Sequence, residues 1–305
     1  MGCCSSRSGS WQLLTAGSDL DGAQRTSLLL WLRGGGGQPG PKVDFESLTR
    51  LDLSEHFVLS CDFVNSDGEE VEEELFDRKA FGAFVREVLP RLTGIMDLSL
   101  SSNELFAREE SIQTVASFVS ALKAGPLDGC HSLNISGNSL GSAPPECARA
   151  FLEGLPSGLL HLDVSENRLH LFGTGASVAA GLWESLCKAR SGLAFLSLAR
   201  NNLCRLSPAR KPAEAAEGDA EGSSWEVLGA ALELLPSLTS LDLSENELDG
   251  APAASLAKAV LPRLLSLRQL NLTGNGPRDG SAGALGQEAQ GLVRAAVPRA
   301  CEVLF

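Results

Sequence analysis

Apolar and polar residues follow one another along this chain in a short pattern that keeps returning. Leu159-Leu-His-Leu162-Asp-Val164-Ser-Glu-Asn167-Arg-Leu169 is followed by Leu193-Ala-Phe-Leu196-Ser-Leu198-Ala-Arg-Asn201-Asn-Leu203, and both fit L-x-x-L-x-L-x-x-N-x-L. Further copies run from Ile95 to Leu105, from Leu133 to Leu140 in shortened form, from Leu238 to Leu248 and from Leu267 to Asn275. Such self-similarity marks a repeat architecture. In each copy two apolar residues flank a polar one, as in Leu98 and Leu100, Leu162 and Val164, or Leu241 and Leu243. A period of two puts both apolar side chains on the inner face of a short strand and the polar one on the outer face. The asparagine follows where the chain turns away, and its short amide can satisfy backbone groups that the turn leaves unpaired. Stacked copies align Asn103, Asn138, Asn167, Asn201, Asn246 and Asn275 as a ladder along the core.

Between the ladder segments the period changes. Apolar residues at spacings of three and four predict helices over 112–122, 146–155, 176–186, 225–235, 253–261 and 284–297, for example through Val115, Phe118, Val119 and Leu122. Several end in proline or glycine, as at Gly125-Pro126, Leu155-Pro156 and Leu235-Pro236. Strand and helix therefore alternate throughout.

From about Leu48 to Leu304 the chain resembles leucine-rich-repeat proteins. Its ladder asparagines are 35, 29, 34, 45 and 29 residues apart, long units that resemble the ribonuclease-inhibitor-like class. The resemblance implies an α/β horseshoe-shaped solenoid with a parallel concave sheet and convex helices, built from about seven repeats over 43–305. It also implies protein partners rather than a small-molecule substrate.

The first residues, Met1-Gly2-Cys3-Cys4-Ser5-Ser6, match the acceptor pattern for N-myristoylation of Gly2, with Cys3 and Cys4 placed for S-palmitoylation. A single myristoyl chain holds a protein only marginally, and the two cysteines supply a second signal. Cys301 is fifth from the end, not fourth, so it does not form a prenylation box. Residues 1–42 read as a lipidated leader and a Gly/Ser/Pro-rich flexible linker. Inside it Leu28-Leu-Leu-Trp-Leu32 is far shorter than the ~20 residues of a membrane span. It either caps the first repeat or lies on the membrane; the exposed apolar face of an end repeat favours the cap.

Leu48 to His56 is a degenerate first copy, with histidine at the ladder position. Seven acids between Asp67 and Asp77 read as the solvated start of a helix continuing through Phe81, Phe84 and Leu89, or as a docking site for a basic partner. The interval from Asn201 to Asn246 exceeds its 29-residue neighbour by 16, and the excess, 206–224, has no large apolar residue after Leu206. It is expected to be a mobile loop, a neutral insertion in preference to a recognition loop.

A formal charge of −13, from 25 basic and 38 acidic residues, argues against nucleic acid and against binding anionic lipid by charge alone. Eight cysteines without a C-x-x-C pair read as reduced, small buried hydrophobes in a cytosolic setting. The four histidines give no metal pair at helical spacing, Cys130 and His131 lack the convergent geometry of a nucleophile and base, and no phosphate loop is present. No cofactor, metal or catalytic group is expected.

Function is then expected on the concave face. The middle outward column, Asp52, Ser99, Asn134, Asp163, Ser197, Asp242 and Asn271, is small and polar; the column before it is more individual. An exposed Phe195 beside His161, with Asp163, Arg200 and Asp242 close by, is the candidate protein-binding site, because buried aromatics carry disproportionate interface energy. The resulting expectation is a non-catalytic scaffold held by its lipids on the cytosolic face of a membrane, most naturally the plasma membrane. Two alternatives stand beside it. One is an activator of a small GTPase, for which Arg200 and Arg205 are the candidate arginines; the other is a bacterial effector lipidated in a host.

Overall fold

The computed structural model describes residues 19–305 apart from 39, 65–69, 108–111, 171–175, 189, 207–223 and 277–284. Gly2, Cys3 and Cys4, most of the long insertion and part of the acidic run therefore lie outside the described residues.

Eight three-residue strands form one parallel sheet: β1 (Arg50–Asp52), β4 (Asp97–Ser99), β5 (Ser132–Asn134), β6 (His161–Asp163), β7 (Phe195–Ser197), β8 (Ser240–Asp242), β9 (Gln269–Asn271) and β10 (Glu302–Leu304). Each pairs with the next in the same register, the central leucines Leu51, Leu98, Leu133, Leu162, Leu196, Leu241 and Leu270 aligning in one row that ends at Val303. These leucines and the next inward residues (Leu53, Leu100, Ile135, Val164, Leu198, Leu243, Leu272) are at most 2% exposed. The helices α3 (Ile112–Leu122), α4 (Pro145–Gly154), α5 (Ala176–Cys187), α6 (Ser224–Leu232), α7 (Gly250–Ala259) and α8 (Gln287–Ala296) form the second layer, each packed on its neighbours in the sequence. This is the expected solenoid of concave sheet and convex helices. The C-terminal residues close it as β10, where the Arg294 guanidinium stacks over Phe305 at 5.2 Å from the ring centre.

The ladder explains why asparagine returns at one position. All six are fully buried. From Asn138 onward each Oδ1 accepts two backbone N–H groups from the preceding repeat, as Asn201 takes Asn167 N at 2.9 Å and Leu169 N at 3.2 Å, while Asn103 accepts Phe57 N. Each Nδ2 donates back to a strand carbonyl of that repeat, Asn201 to Val164 O at 3.0 Å. The backbone on either side is left-handed, with φ of 52° at Arg200 and 57° at Asn202. The same bracket surrounds Asn103, Asn138, Asn167 and Asn246. It aims two N–H groups at one side-chain oxygen, which helical or extended backbone would separate.

The sequence reading needs correction at the N-terminal end. Residues 22–33, inside the segment read as flexible linker, are a helix, α1 (Gly22–Arg33), with Asp21 and Gln24 closing a reciprocal capping box. Leu28 and Leu32 are fully buried, so the apolar run caps the first repeat. Asp19 finishes the edge of β1: its amide donates to Arg50 O at 3.0 Å, and its carboxylate accepts from Thr49 N, Thr49 Oγ1 and Arg50 N. Burial, which would raise the Asp19 pKa, is outweighed by these hydrogen bonds, and the pKa is lowered.

The acidic run does not begin a helix. Glu70–Phe76 is a strand, β3, paired antiparallel with β2 (Val58–Val64), with Leu59 in register with Leu75 and Phe63 with Val71. Helix α2 (Arg78–Ala83) starts only after Asp77, whose side chain accepts Ala80 N at 2.9 Å, and runs on through a π turn and a 3-10 turn to Arg91. Phe57, Phe81 and Phe84 pack there with ring centres 5.0 to 5.9 Å apart.

One buried cation joins two repeats. Arg190 is 2% exposed; its Nη1 donates to Ser185 O, Leu186 O and Lys188 O, and its Nη2 to Leu152 O and Leu155 O. It thereby satisfies carbonyls at the C-terminal ends of both α4 and α5. Burial lowers its pKa to about 10, and it remains charged at neutral pH. Cys130 and Cys187 are buried free thiols, each pushed up to about 12 by burial. Cys147, Cys204 and Cys301 likewise form no disulfide among the described residues but are only half-buried, a departure from the expectation of buried cysteines.

Candidate concave-face interface

The sheet register brings the predicted residues together. His161 and Phe195 are partners across β6 and β7, and Asp163, Ser197 and Asp242 align across β6, β7 and β8. Asp163, Phe195, Arg200 and Asp242 line one hollow of about 260 Å³, with Ser136, Ser165, Ser197, Ser244, Glu166 and Glu245. His161 stands beside it, its ring centre 6.1 Å from that of Phe195. Phe195 is half-buried, not exposed: residues directly opposite in paired strands sit close enough for long side chains to cover one another. Burial lowers the His161 pKa, partly offset by Asp97 and reinforced by His131, so the ring is neutral at physiological pH.

The two aspartates have a structural duty that the sequence reading missed. Asp163 accepts Ser165 N at 2.9 Å and the Ser165 hydroxyl, and Asp242 accepts Ser244 N at 2.8 Å. Asp52, Asn134 and Asn271 do the same with the residue two positions on, so this column closes an Asx turn after β1, β5, β6, β8 and β9. The recurring Asp/Asn-x-Ser/Thr of the sequence was the available signal. Burial is the largest influence on both carboxyls and raises their pKa values; the hydrogen bonds from Ser165 and Ser244 oppose it, and the Asp242 charge adds to it at Asp163.

Arg200 is already engaged. Its Nη1 donates to Glu166 at 2.7 Å, and its Nε and Nη2 donate to the two carboxylate oxygens of Glu245, both at 2.8 Å. A guanidinium clamped by two carboxylates is not offered to a phosphate. Glu166 and Glu245 were absent from the sequence-predicted set; both occupy the same repeat position as Arg200, one residue before the ladder asparagine. The side chain of Arg205 lies outside the described residues. A second hollow of about 520 Å³ follows the same rim towards the N terminus, lined by Glu55, Ser102, Glu104, Glu166 and Arg168 among others.

Among the described residues no cluster of His, Cys, Asp and Glu is arranged to hold a metal ion, and no helix is long and apolar enough to cross a membrane.

Residues 237–259, which contain β8, its ladder asparagine and α7, match the family model described as Leucine Rich Repeat. No curated protein matches the chain. Among solved structures it is similar to the leucine-rich repeat-containing protein LegL7 of Legionella pneumophila, at 18% identity over 87% of each chain with a TM-score of 0.34. It is also similar to an internalin of Listeria monocytogenes, at 11% identity over 92% of this chain and 94% of that one, with a TM-score of 0.22. Likenesses this distant say nothing about function. The matched repeat, the eight-stranded parallel sheet and the asparagine ladder together give this chain the α/β solenoid fold of leucine-rich-repeat proteins.

Proposed function

We propose that the chain is a non-catalytic protein-interaction scaffold that binds a partner on its concave face and is tethered to the cytosolic face of a membrane by acylation at Gly2, Cys3 and Cys4. The observation that carries the binding site is the convergence of Asp163, Phe195, Arg200 and Asp242 on one hollow, with His161 at its edge. A half-buried aromatic framed by fixed charges offers an apolar anchor and an oriented polar rim, the composition of interface hot spots. The clamp on Arg200 favours the scaffold over a GTPase activator, which needs a free arginine.

The tether rests on the sequence alone. Adjacent cysteines after an acceptor glycine supply the two signals that stable anchoring requires. Confinement to a surface raises the effective concentration of the scaffold for partners on the same membrane.

Two measurements test this reading. Partners captured by the wild-type chain from a eukaryotic cell should be lost with Phe195→Ala and kept with Leu265→Ala, which removes an exposed side chain elsewhere. An unchanged partner set for Phe195→Ala removes the concave assignment. Intact mass from the same cells, with and without hydroxylamine, should show a myristoyl increment and thioester-linked palmitoyl groups. An unmodified mass ends the tether.

A further inference from the structure

The charge of the helical layer changes sign along the solenoid. Helix α1 and the continuous stretch 78–91 that begins with α2 carry Arg25, Arg33, Arg78, Lys79, Arg86 and Arg91 against one acid, Glu87. Helices α3 to α8 together carry three bases, Arg149, Lys258 and Arg294, against five acids. In a chain of net charge −13 these helical segments are a local inversion, although the strand that leads into α2, Glu70–Phe76, carries four glutamates.

Three of these cations gather on one turn. After α1 the chain folds back over α2 through Gly35, Gly36 and Gly37, whose φ angles of 96°, 76° and 96° suit glycine. Trp31 Nε1 holds the turn by donating to Gly37 O at 2.8 Å. A Cβ at Gly35 would lie 2.8 Å from Lys79 Cε, and Arg86 Nη2 donates to Gly35 O at 3.3 Å. Arg33 precedes that glycine by two residues, and Leu30, one helical turn before Arg33, is 67% exposed. Arg33, Lys79 and Arg86 make no ion pair among the described residues. Of the acids on these helices, Asp21 caps the far end of α1, and Glu87 lies half-buried against Gly36 on the same turn.

The same end of the solenoid receives the N-terminal segment, because Asp19 is fixed to the edge of β1. The eighteen residues before it span ~60 Å at most when extended, at about 3.3–3.6 Å per residue. An anchor at Gly2 is therefore joined to the solenoid at this end.

We propose that the α1–α2 end is a second membrane contact, in which Arg33, Lys79 and Arg86 bind anionic phospholipid headgroups and Leu30 enters the interface. The proposal rests on the acyl-tether reading. One acyl chain and a basic patch are together sufficient for stable attachment, and the acidic remainder of the solenoid is repelled by the same surface. The molecule then stands on its cap with the concave face directed along the membrane. A basic face also suits nucleic-acid phosphates, but its continuity with the tether favours lipid.

The test uses the full chain co-expressed in bacteria with an N-myristoyltransferase, its acylation read by intact mass. Affinity is measured for vesicles of phosphatidylcholine alone and of phosphatidylcholine with phosphatidylserine. The wild type should gain roughly tenfold to a hundredfold from phosphatidylserine, the effect of about three cations near a negative surface. The triple variant Arg33→Gln, Lys79→Gln, Arg86→Gln should lose most of that gain and keep its affinity for pure phosphatidylcholine. The pair Arg149→Gln, Lys258→Gln, on distant helices, should keep the gain. Equal gains in the wild type and the triple variant overturn the proposal, as does tighter binding of the wild type to short duplex DNA than to the mixed vesicles. Should the mass show no acyl group, the tether reading alone fails, and a His tag at the N terminus on a nickel-chelating lipid replaces it for the same comparison.

Discussion

The ladder asparagines and the residues immediately before them run as two adjacent columns along the solenoid. In the first column one residue type recurs six times, always fully buried and bonded into the neighbouring repeat. The second reads Ser102, Gly137, Glu166, Arg200, Glu245 and Gly274, and every member has a φ between 52° and 69°, as has Glu55 before His56 in the degenerate first copy. Backbone geometry is therefore constant in both columns, while side-chain chemistry is constant in only one. The ladder imposes the conformation, and the rim residue inherits it whatever its identity. Positions that keep their backbone but change their chemistry are where a repeat protein can acquire specificity without altering its fold.

The contrast breaks most easily at its buried side. Asn201→Ala should leave Asn167 N, Leu169 N and Val164 O unpaired in the core. At ~1–3 kcal/mol for each buried orphan, with partial relaxation, the loss should be about 3–5 kcal/mol in urea unfolding. A loss below ~1 kcal/mol, the net worth of a single ordinary hydrogen bond, would show that the ladder does not impose the geometry.

A smaller effect separates carboxyls by burial. Asp163 and Asp242 have raised folded pKa values, so the folded chain keeps their protons at pH values where the unfolded chain has released them. Their contribution to stability is full below the unfolded pKa and declines as pH rises from about 4 through the folded values. Asp19, with a lowered pKa, does the reverse: its contribution is present above the unfolded pKa and is lost as pH falls through the folded value. Urea midpoints measured across acid pH should show a shallower decline with rising pH for Asp242→Asn than for the wild type. Asp19→Asn should instead reduce the loss on the acid side. Parallel curves for all three proteins would contradict both assignments.

The smallest expected change sharpens the comparison from the rim. Arg200 and its partners are about half exposed, so Arg200→Gln should cost at most ~1 kcal/mol, as exposed ion pairs do. Partner capture should suffer more than stability, since the variant leaves Glu166 and Glu245 facing the hollow uncompensated. A large drop in the urea midpoint would mean that the rim, too, is structural.

Local regularity decided what could be read from the sequence. The L-x-L strands and the ladder were legible because each repeat states them anew, and α3 has the predicted bounds, Ile112–Leu122. The hairpin was not legible. Glu70–Phe76 has only three apolar residues, and what makes it a strand is its pairing with Val58–Val64, which no local pattern encodes. Helix α1 was hidden by its glycine-rich surroundings, although Asp21 and Gln24 already spelled a capping box. In the candidate site, Phe195, His161, Asp163 and Asp242 were found by lining up strands. Glu166 and Glu245 were missed because they are 34 and 45 residues from Arg200 and meet it only when turns are aligned as well.

Arg190 has a consequence for how the molecule comes apart. Stacked repeats that touch only their neighbours can in principle melt one at a time, from whichever junction is weakest. At the junction of α4 and α5 a single guanidinium is shared by both helix ends, and neither end can fray without abandoning a charge in apolar surroundings. This rivet makes the two flanking repeats a single cooperative unit, so that the middle of the solenoid resists pulling and heating as one block while separation begins towards its ends.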